Sequence, residues 1–118
     1  MRGLVALARN FGIETVPEVD VPGHCFAMLQ SILELRDPLE SGEYQSVQGF
    51  PNNCLNPARE ETYRALETIF DEMIELFPSK LFHIGADEVP LGAWSGSPQA
   101  LNMLELENGK YVADAHAK

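Results

Sequence analysis

The stretch Leu81-Phe82-His83-Ile84-Gly85-Ala86-Asp87-Glu88-Val89-Pro90 runs from a short hydrophobic segment through two small residues to adjacent carboxylates and a proline. An apolar run broken by small residues reads as a strand over 81–86 that delivers acids at its end. Earlier in the chain, Val16-Pro17-Glu18-Val19-Asp20-Val21-Pro22-Gly23-His24 repeats the design, with acids two apart on a β-rich segment and a histidine in the turn that ends it. Two such strand ends decide the fold class, which is α/β.

Helical patterns flank both. Leu4, Val5, Ala8 and Phe11 recur at steps of 3 to 4, predicting a helix from Met1 to about Asn10 that Gly12 stops. A strand over 13–20 follows, although Pro17 removes a ladder donor. After Pro22-Gly23 a helix is expected from about Cys25 to Arg36. Residues 37–56, with Pro38, Gly42, Gly49, Pro51 and Asn52-Asn53, form a long irregular segment that reads as a lid or rim loop. Asn56 as N-cap and Pro57 at the first helical position open the clearest helix, whose Tyr63, Leu66, Phe70, Met73 and Phe77 recur every 3 or 4 residues before Pro78. The last helix starts at Ser97-Pro98 and stops at Asn108-Gly109.

Helix, strand, helix, strand, helix is the order of βαβ units with parallel strands and right-handed crossovers. Active sites of such sheets and of (β/α)₈ barrels lie at the carboxyl ends of the strands, where Asp20, His24, Asp87 and Glu88 fall. Two strands do not close a barrel of about 250 residues. The chain therefore reads as a piece of something larger.

Composition narrows the partners. The 118 residues carry 8 Lys plus Arg against 18 Asp plus Glu, a formal charge of −10 that argues against nucleic acid, whose binding rests on clustered cations. There is no run of about 18 apolar residues and no basic segment leading into an apolar one, so neither a membrane span nor a secretory signal is visible. A soluble chain of open compartment is the expectation. Cys25 and Cys54 lack metal-site or CxxC spacing and read as buried or incidental thiols rather than a disulfide.

Side chains alternate along a regular strand, so Asp87 and Glu88 serve one pocket only if the strand ends between them. Gly85-Ala86 and Pro90 supply the break and leave room for a ligand to approach the backbone. At these residues a resemblance enters. HIGADE (83–88) is similar to the HxGGDE motif of family 20 glycoside hydrolases, the β-N-acetylhexosaminidases, and PEVDVPGH (17–24) resembles that family's PEIDxPGH strand. The separation of the two, the NNCLNP segment (52–57) between them and the following amphipathic helix also match the family's plan, over about Met1 to Pro98.

The resemblance implies a partial (β/α)₈ TIM barrel, about strands 3 and 4 with flanking helices, over 1–118. It implies retaining hydrolysis of terminal β-linked N-acetylglucosamine or N-acetylgalactosamine, with the substrate's own 2-acetamido oxygen as nucleophile. Glu88 would protonate the leaving oxygen and then activate water. Asp87 would accept the acetamide N–H and balance the charge of an oxazolinium-like intermediate. His24 would sit near the general acid, and Asp20 would hold the site together or touch sugar. His83 fits a supporting hydrogen bond better than catalysis, and Trp94 would stack on a sugar or pack against its neighbours. The implied partner is an N-acetylhexosamine-containing glycan, with no cofactor or metal. Ala86 departs from the family's usual glycine, and the substrate-clamping arginine and pocket-walling aromatics have no counterpart here.

Two other readings stay open. Asp20, His24, His83, Asp87 and Glu88 could instead hold a divalent metal in a metal-dependent hydrolase. Alternatively the chain is a catalytically inactive barrel fragment, prone to self-association through unpaired strand edges.

Overall fold

The computed structural model describes residues 1–106, so the stop expected at Asn108-Gly109 lies outside the described residues. Four helices are present among them: α1 (Arg2–Asn10), α2 (Phe26–Ser31), α3 (Glu60–Leu76) and α4 (Pro98–Leu106), with a 3₁₀ turn at Leu33–Leu35. None is long and apolar enough to cross a membrane.

The two expected strands do not form as strands among the described residues. What remains is one isolated parallel bridge between Glu18 and His83. His83 N–H donates to Pro17 at 2.9 Å and Val19 N–H to His83 at 3.0 Å, as in a parallel ladder, but Val21 N–H then reaches back to Ile84. The ladder stops because Gly85 and Ala86 both turn left-handed, at φ 67° and 70°, and Gly85 N–H goes to His83 Nδ1 instead of across. Pro17, which has no N–H, limits pairing at the other end.

The helix expected over 25–36 is also shorter. Arg36 Nε donates to Leu29 O at 2.7 Å, taking the carbonyl that a continuing helix would offer to Leu33, while Ile32 adopts an extended conformation (φ −119°, ψ 88°). The third helix begins at Glu60 rather than Pro57. Asn56 closes its own turn instead, its Oδ1 accepting from Ala58 N–H at 2.9 Å and its carbonyl from Arg59 N–H. Glu60 and Glu61 then sit in the first turn of α3, where negative charge suits the helix dipole. At the far end Phe77 is extended, as a residue before proline must be, and α3 stops as read. Ser97 Oγ accepts from Ala100 N–H at 3.3 Å, capping α4 where the sequence placed its start.

Two apolar clusters hold these pieces. Val21, Cys25, Leu29, Leu35 and Leu55 form one, with Ala65 and Leu66 of α3 against it. Tyr44, Cys54, Ala93, Trp94 and Ala100 form the other. Between them lies a partly buried polar knot. Asn56 Nδ2 donates to Asp37 Oδ2 at 2.7 Å and to Ser97 Oγ at 2.8 Å, and Ser97 Oγ donates to the same Asp37 oxygen at 2.5 Å. This knot pins the irregular segment 37–56 to the starts of α3 and α4.

Candidate active site

The acids of both motifs meet where the bridge ends. Gly85 brings its backbone against the Asp20 carboxylate, leaving no space for a Cβ, so the room that the small residues open is filled by Asp20. Asp20 Oδ1 accepts from Ala86 N–H at 3.2 Å. Through that contact the end of the first segment fixes the turn that carries the acid pair.

His24, Ala86 and Glu88 are all left-handed, at φ 54°, 70° and 50°. Each conformation costs a non-glycine residue about 1–2 kcal/mol, and such outliers cluster at functional sites. At Ala86 and Glu88 the effect is to break the alternation that would send Asp87 and Glu88 to opposite faces. Glu88 Oε2 lies 3.5 Å from His24 Nε2, whose other neighbour is Asp20 Oδ2 at 3.8 Å. Asp20, His24 and Asp87 each bring one donor atom within 4.8 Å of the others. One imidazole and three carboxylates thus converge at a half-open surface, Glu88 being 44 % and His24 24 % exposed.

His83 stands apart from this group. Its Nδ1 is 3.0 Å from Glu18 Oε1 and 3.1 Å from the Gly85 N–H. One nitrogen cannot donate and accept at once: Nδ1 accepts the Gly85 N–H in the Nε2–H tautomer and donates to Glu18 when it carries the proton itself. Trp94, 4 % exposed, belongs to the second cluster and donates its indole N–H to Leu55 O at 3.0 Å. It also lines a cavity of about 720 Å³ with Tyr44, Asp37 and Glu43, away from the acid pair.

Gln48 was not singled out by sequence. Its amide donates to Glu88 Oε2 at 2.7 Å, the same oxygen that faces His24. No motif marks a glutamine in a loop 40 positions before its partner. The only available hint was the length of the irregular segment itself.

Burial acts on groups outside the acid pair. It pushes the Cys25 thiol up to about 12, helped by the nearby charges of Cys54 and Asp20, and the Cys54 thiol up to about 11. Both are free and buried, as read from spacing. Burial alone would raise the Asp37 carboxyl. Hydrogen bonds from Ser97, Leu39 N–H and Asn56, with the Arg59 charge, outweigh it and hold that carboxyl below the ordinary carboxylate value.

Comparison with known proteins agrees with both motifs. The model of glycosyl hydrolase family 20, catalytic domain, matches residues 1–118. The chain belongs to glycosyl hydrolase family 20. Among family 20 relatives, a beta-hexosaminidase of Vibrio furnissii is 41 % identical over 108 residues, which is 91 % of this chain and 18 % of that protein. Beta-hexosaminidase subunit beta of Homo sapiens is 33 % identical over 99 residues, 84 % of this chain and 17 % of that protein. In three dimensions the chain is similar to the family 20 exo beta-N-acetylglucosaminidase of Vibrio harveyi, solved in complex with N-acetylglucosamine. The TM-score is 0.91 at 38 % identity, covering 96 % of this chain and 18 % of that one. A beta-N-acetylhexosaminidase of Bacteroides fragilis gives 0.77 at 28 % identity, over 98 % of this chain and 22 % of that one. The chain thus spans about a fifth of the length of these family 20 proteins.

Proposed function

We propose that this chain carries the acid and acetamide-orienting machinery of a retaining β-N-acetylhexosaminidase, acting on glycans that end in N-acetylglucosamine or N-acetylgalactosamine. The observation that carries the reading is the convergence of Asp87, Glu88 and His24 in a member of family 20. Glu88 is the proton donor to the leaving oxygen. His24, 3.5 Å from Oε2, and Gln48, donating to that same oxygen, hold one oxygen of the carboxyl and leave the other for the proton in transit.

Asp87 takes the acetamide N–H and turns its carbonyl oxygen onto the anomeric carbon. A fixed carboxylate serves the developing positive charge better than water, because it needs no reorganisation. The C–O bond to the leaving group breaks as the acetamide oxygen bonds to carbon. Glu88, now ionised, then takes a proton from the water that reopens the ring. Asp20 is a positioning residue, set between His24 and the Ala86 N–H, and His83 with Glu18 supports the same turn.

We further place the two bridged segments as strands 3 and 4 of a (β/α)₈ barrel. Parallel pairing supports this, as do the exposed Ile13, Val16, Leu81 and Ile84 on those segments, which neighbouring strands and helices would cover. Association of copies through the same edges is the alternative cover.

A chromogenic β-N-acetylglucosaminide tests the chemistry. Turnover by the chain that Glu88→Gln abolishes supports the reading, and absence of turnover by the unaltered chain favours the non-catalytic one. The cluster Asp20, His24 and Asp87 offers a set of donors that a divalent ion could use, so the assay is repeated with a chelator. Activity that survives chelation separates acetamide participation from metal-assisted hydrolysis.

A further inference from the structure

We propose that the cavity of about 720 Å³ beside Tyr44 and Trp94 is a second ligand site, separate from the acid pair, that takes ammonium groups carried along a chain. A free polyamine and a short run of glucosamine units with unacetylated amines share that chemistry.

None of Asp20, His24, Asp87 and Glu88 lines this cavity. Helix α2 supplies Phe26 and Leu29 to its wall, segment 37–56 supplies Tyr44 and Cys54, and Trp94 stands just before α4. Its volume falls in the range of small-molecule sites, about 300–1,000 Å³. The two rings are held by their polar ends, since Tyr44 Oη accepts from Cys54 N–H at 3.1 Å and Trp94 donates to Leu55 O. Their apolar surface is what remains to meet a ligand. Asn56 and Asp37, bonded to each other in the polar knot, both belong to the lining and fix segment 37–56 there without help from a ligand.

Charge decides what that ligand is. Three carboxylates line the cavity, Asp37, Glu40 and Glu43, against one guanidinium, Arg36. Arg36 is turned onto α2, donating to Leu29 O at 2.7 Å and to Gln30 Oε1 at 2.6 Å. Glu43 is exposed and makes no hydrogen bond or ion pair among the described residues. A single metal ion is the wrong occupant. Donors that close on one ion lie near one another, as Asp20, His24 and Asp87 do within 4.8 Å, and among the described residues these three carboxylates form no such group. They recur instead at every third position, 37, 40 and 43, with Tyr44 and Trp94 in the same lining. Positive charges spaced along a chain meet carboxylates so arranged, while the carbons between the charges pack on the rings and the rings attract the ammonium groups.

Calorimetry on the 118-residue chain, paired with the emission of Trp94, the sole tryptophan, tests the site. The probes are spermidine, its uncharged triacetyl form and the β-1,4-linked tetramer of glucosamine. Spermidine, the tetramer or both should bind about tenfold more tightly than triacetylspermidine and shift Trp94 emission with the calorimetric midpoint. Glu40→Gln combined with Glu43→Gln should weaken that binding about tenfold, whereas Glu72→Gln combined with Glu75→Gln, exposed on α3, should change it by less than about twofold. Binding of spermidine alone, or of the tetramer alone, upholds the site and identifies which source of the shared chemistry it takes.

A chain of formal charge −10 also draws polycations diffusely. Binding that leaves Trp94 emission unmoved, or that both double variants weaken alike, is that diffuse attraction and overturns the proposal. Failure of both amines to bind, or equal affinity for the triacetyl form, overturns it as well. No turnover is read, so these outcomes stand apart from the assignment of Glu88 as proton donor.

Discussion

Replacing Gly85 by alanine should loosen the turn that carries the acid pair. Gly85 sits at φ 67°, where an alanine is less stable by about 1–2 kcal/mol. Its Cβ would fall on the Asp20 carboxylate, which is only partly exposed and must swing aside, adding about 1 kcal/mol of overpacking. Swinging aside also breaks the Asp20 bond to Ala86 N–H, worth about 0.5–1 kcal/mol at this partly solvated position. The sum is about 3 kcal/mol, a large share of the roughly 5–15 kcal/mol that holds a domain folded. Ala86→Gly is the reciprocal experiment. Ala86 occupies the same backbone region, at φ 70°, and glycine there should gain about 0.5–1 kcal/mol after its larger unfolded-state entropy is counted. Urea unfolding followed by circular dichroism and by the fluorescence of Trp94, the sole tryptophan, reads both variants on one scale. A Gly85→Ala midpoint within about 0.5 kcal/mol of the parent, or an Ala86→Gly loss as large, would refute the account of how Asp20 shapes this turn.

Three further outcomes follow from the packing and the shifted groups. Asn56→Ala, at a residue 2 % exposed, removes bonds to Asp37, Ser97 and Ala58 N–H and should cost about 3 kcal/mol in the same urea experiment. Because Asp37 titrates below its ordinary value of 3.8 in the folded chain, its contribution is complete above that value and is lost as pH falls below it. Thermal melts should show this acid sensitivity, and Asp37→Asn should flatten it while lowering stability at neutral pH. Cys25 and Cys54, held as thiols by burial, should react with a thiol reagent at pH 8 only as fast as the chain unfolds, and prompt stoichiometric labelling would contradict their placement.

Much of the site could be read from the two motifs, because their chemistry is local. Pro22-Gly23 and Gly85-Ala86 mark where the chain must turn, and the acids and His24 follow directly. Helices α1, α3 and α4 were legible for similar reasons, from periodicity and from Gly12, Pro78 and Ser97-Pro98. The misreadings share a physical cause, since in each a distant side chain or a single backbone angle overrode local preference. Arg36 took the Leu29 carbonyl and ended α2, Asn56 was drawn into the knot with Asp37 and Ser97, and Gly85 turned its N–H away from the ladder. Gln48 was invisible because its reach to Glu88 depends on how segment 37–56 folds back, which no spacing encodes.

In the proposed reaction Asp87 and Glu88 act on one sugar whose acetamide takes part in the chemistry. A thiazoline analogue of N-acetylglucosamine mimics the cyclised intermediate without turning over, and its binding to the chain can be measured by calorimetry with and without Asp87→Asn. The analogue should bind, and Asp87→Asn should weaken that binding by about thirtyfold, the value of one charge-assisted hydrogen bond. Equal affinity for both proteins, or none for the unaltered chain, would contradict it.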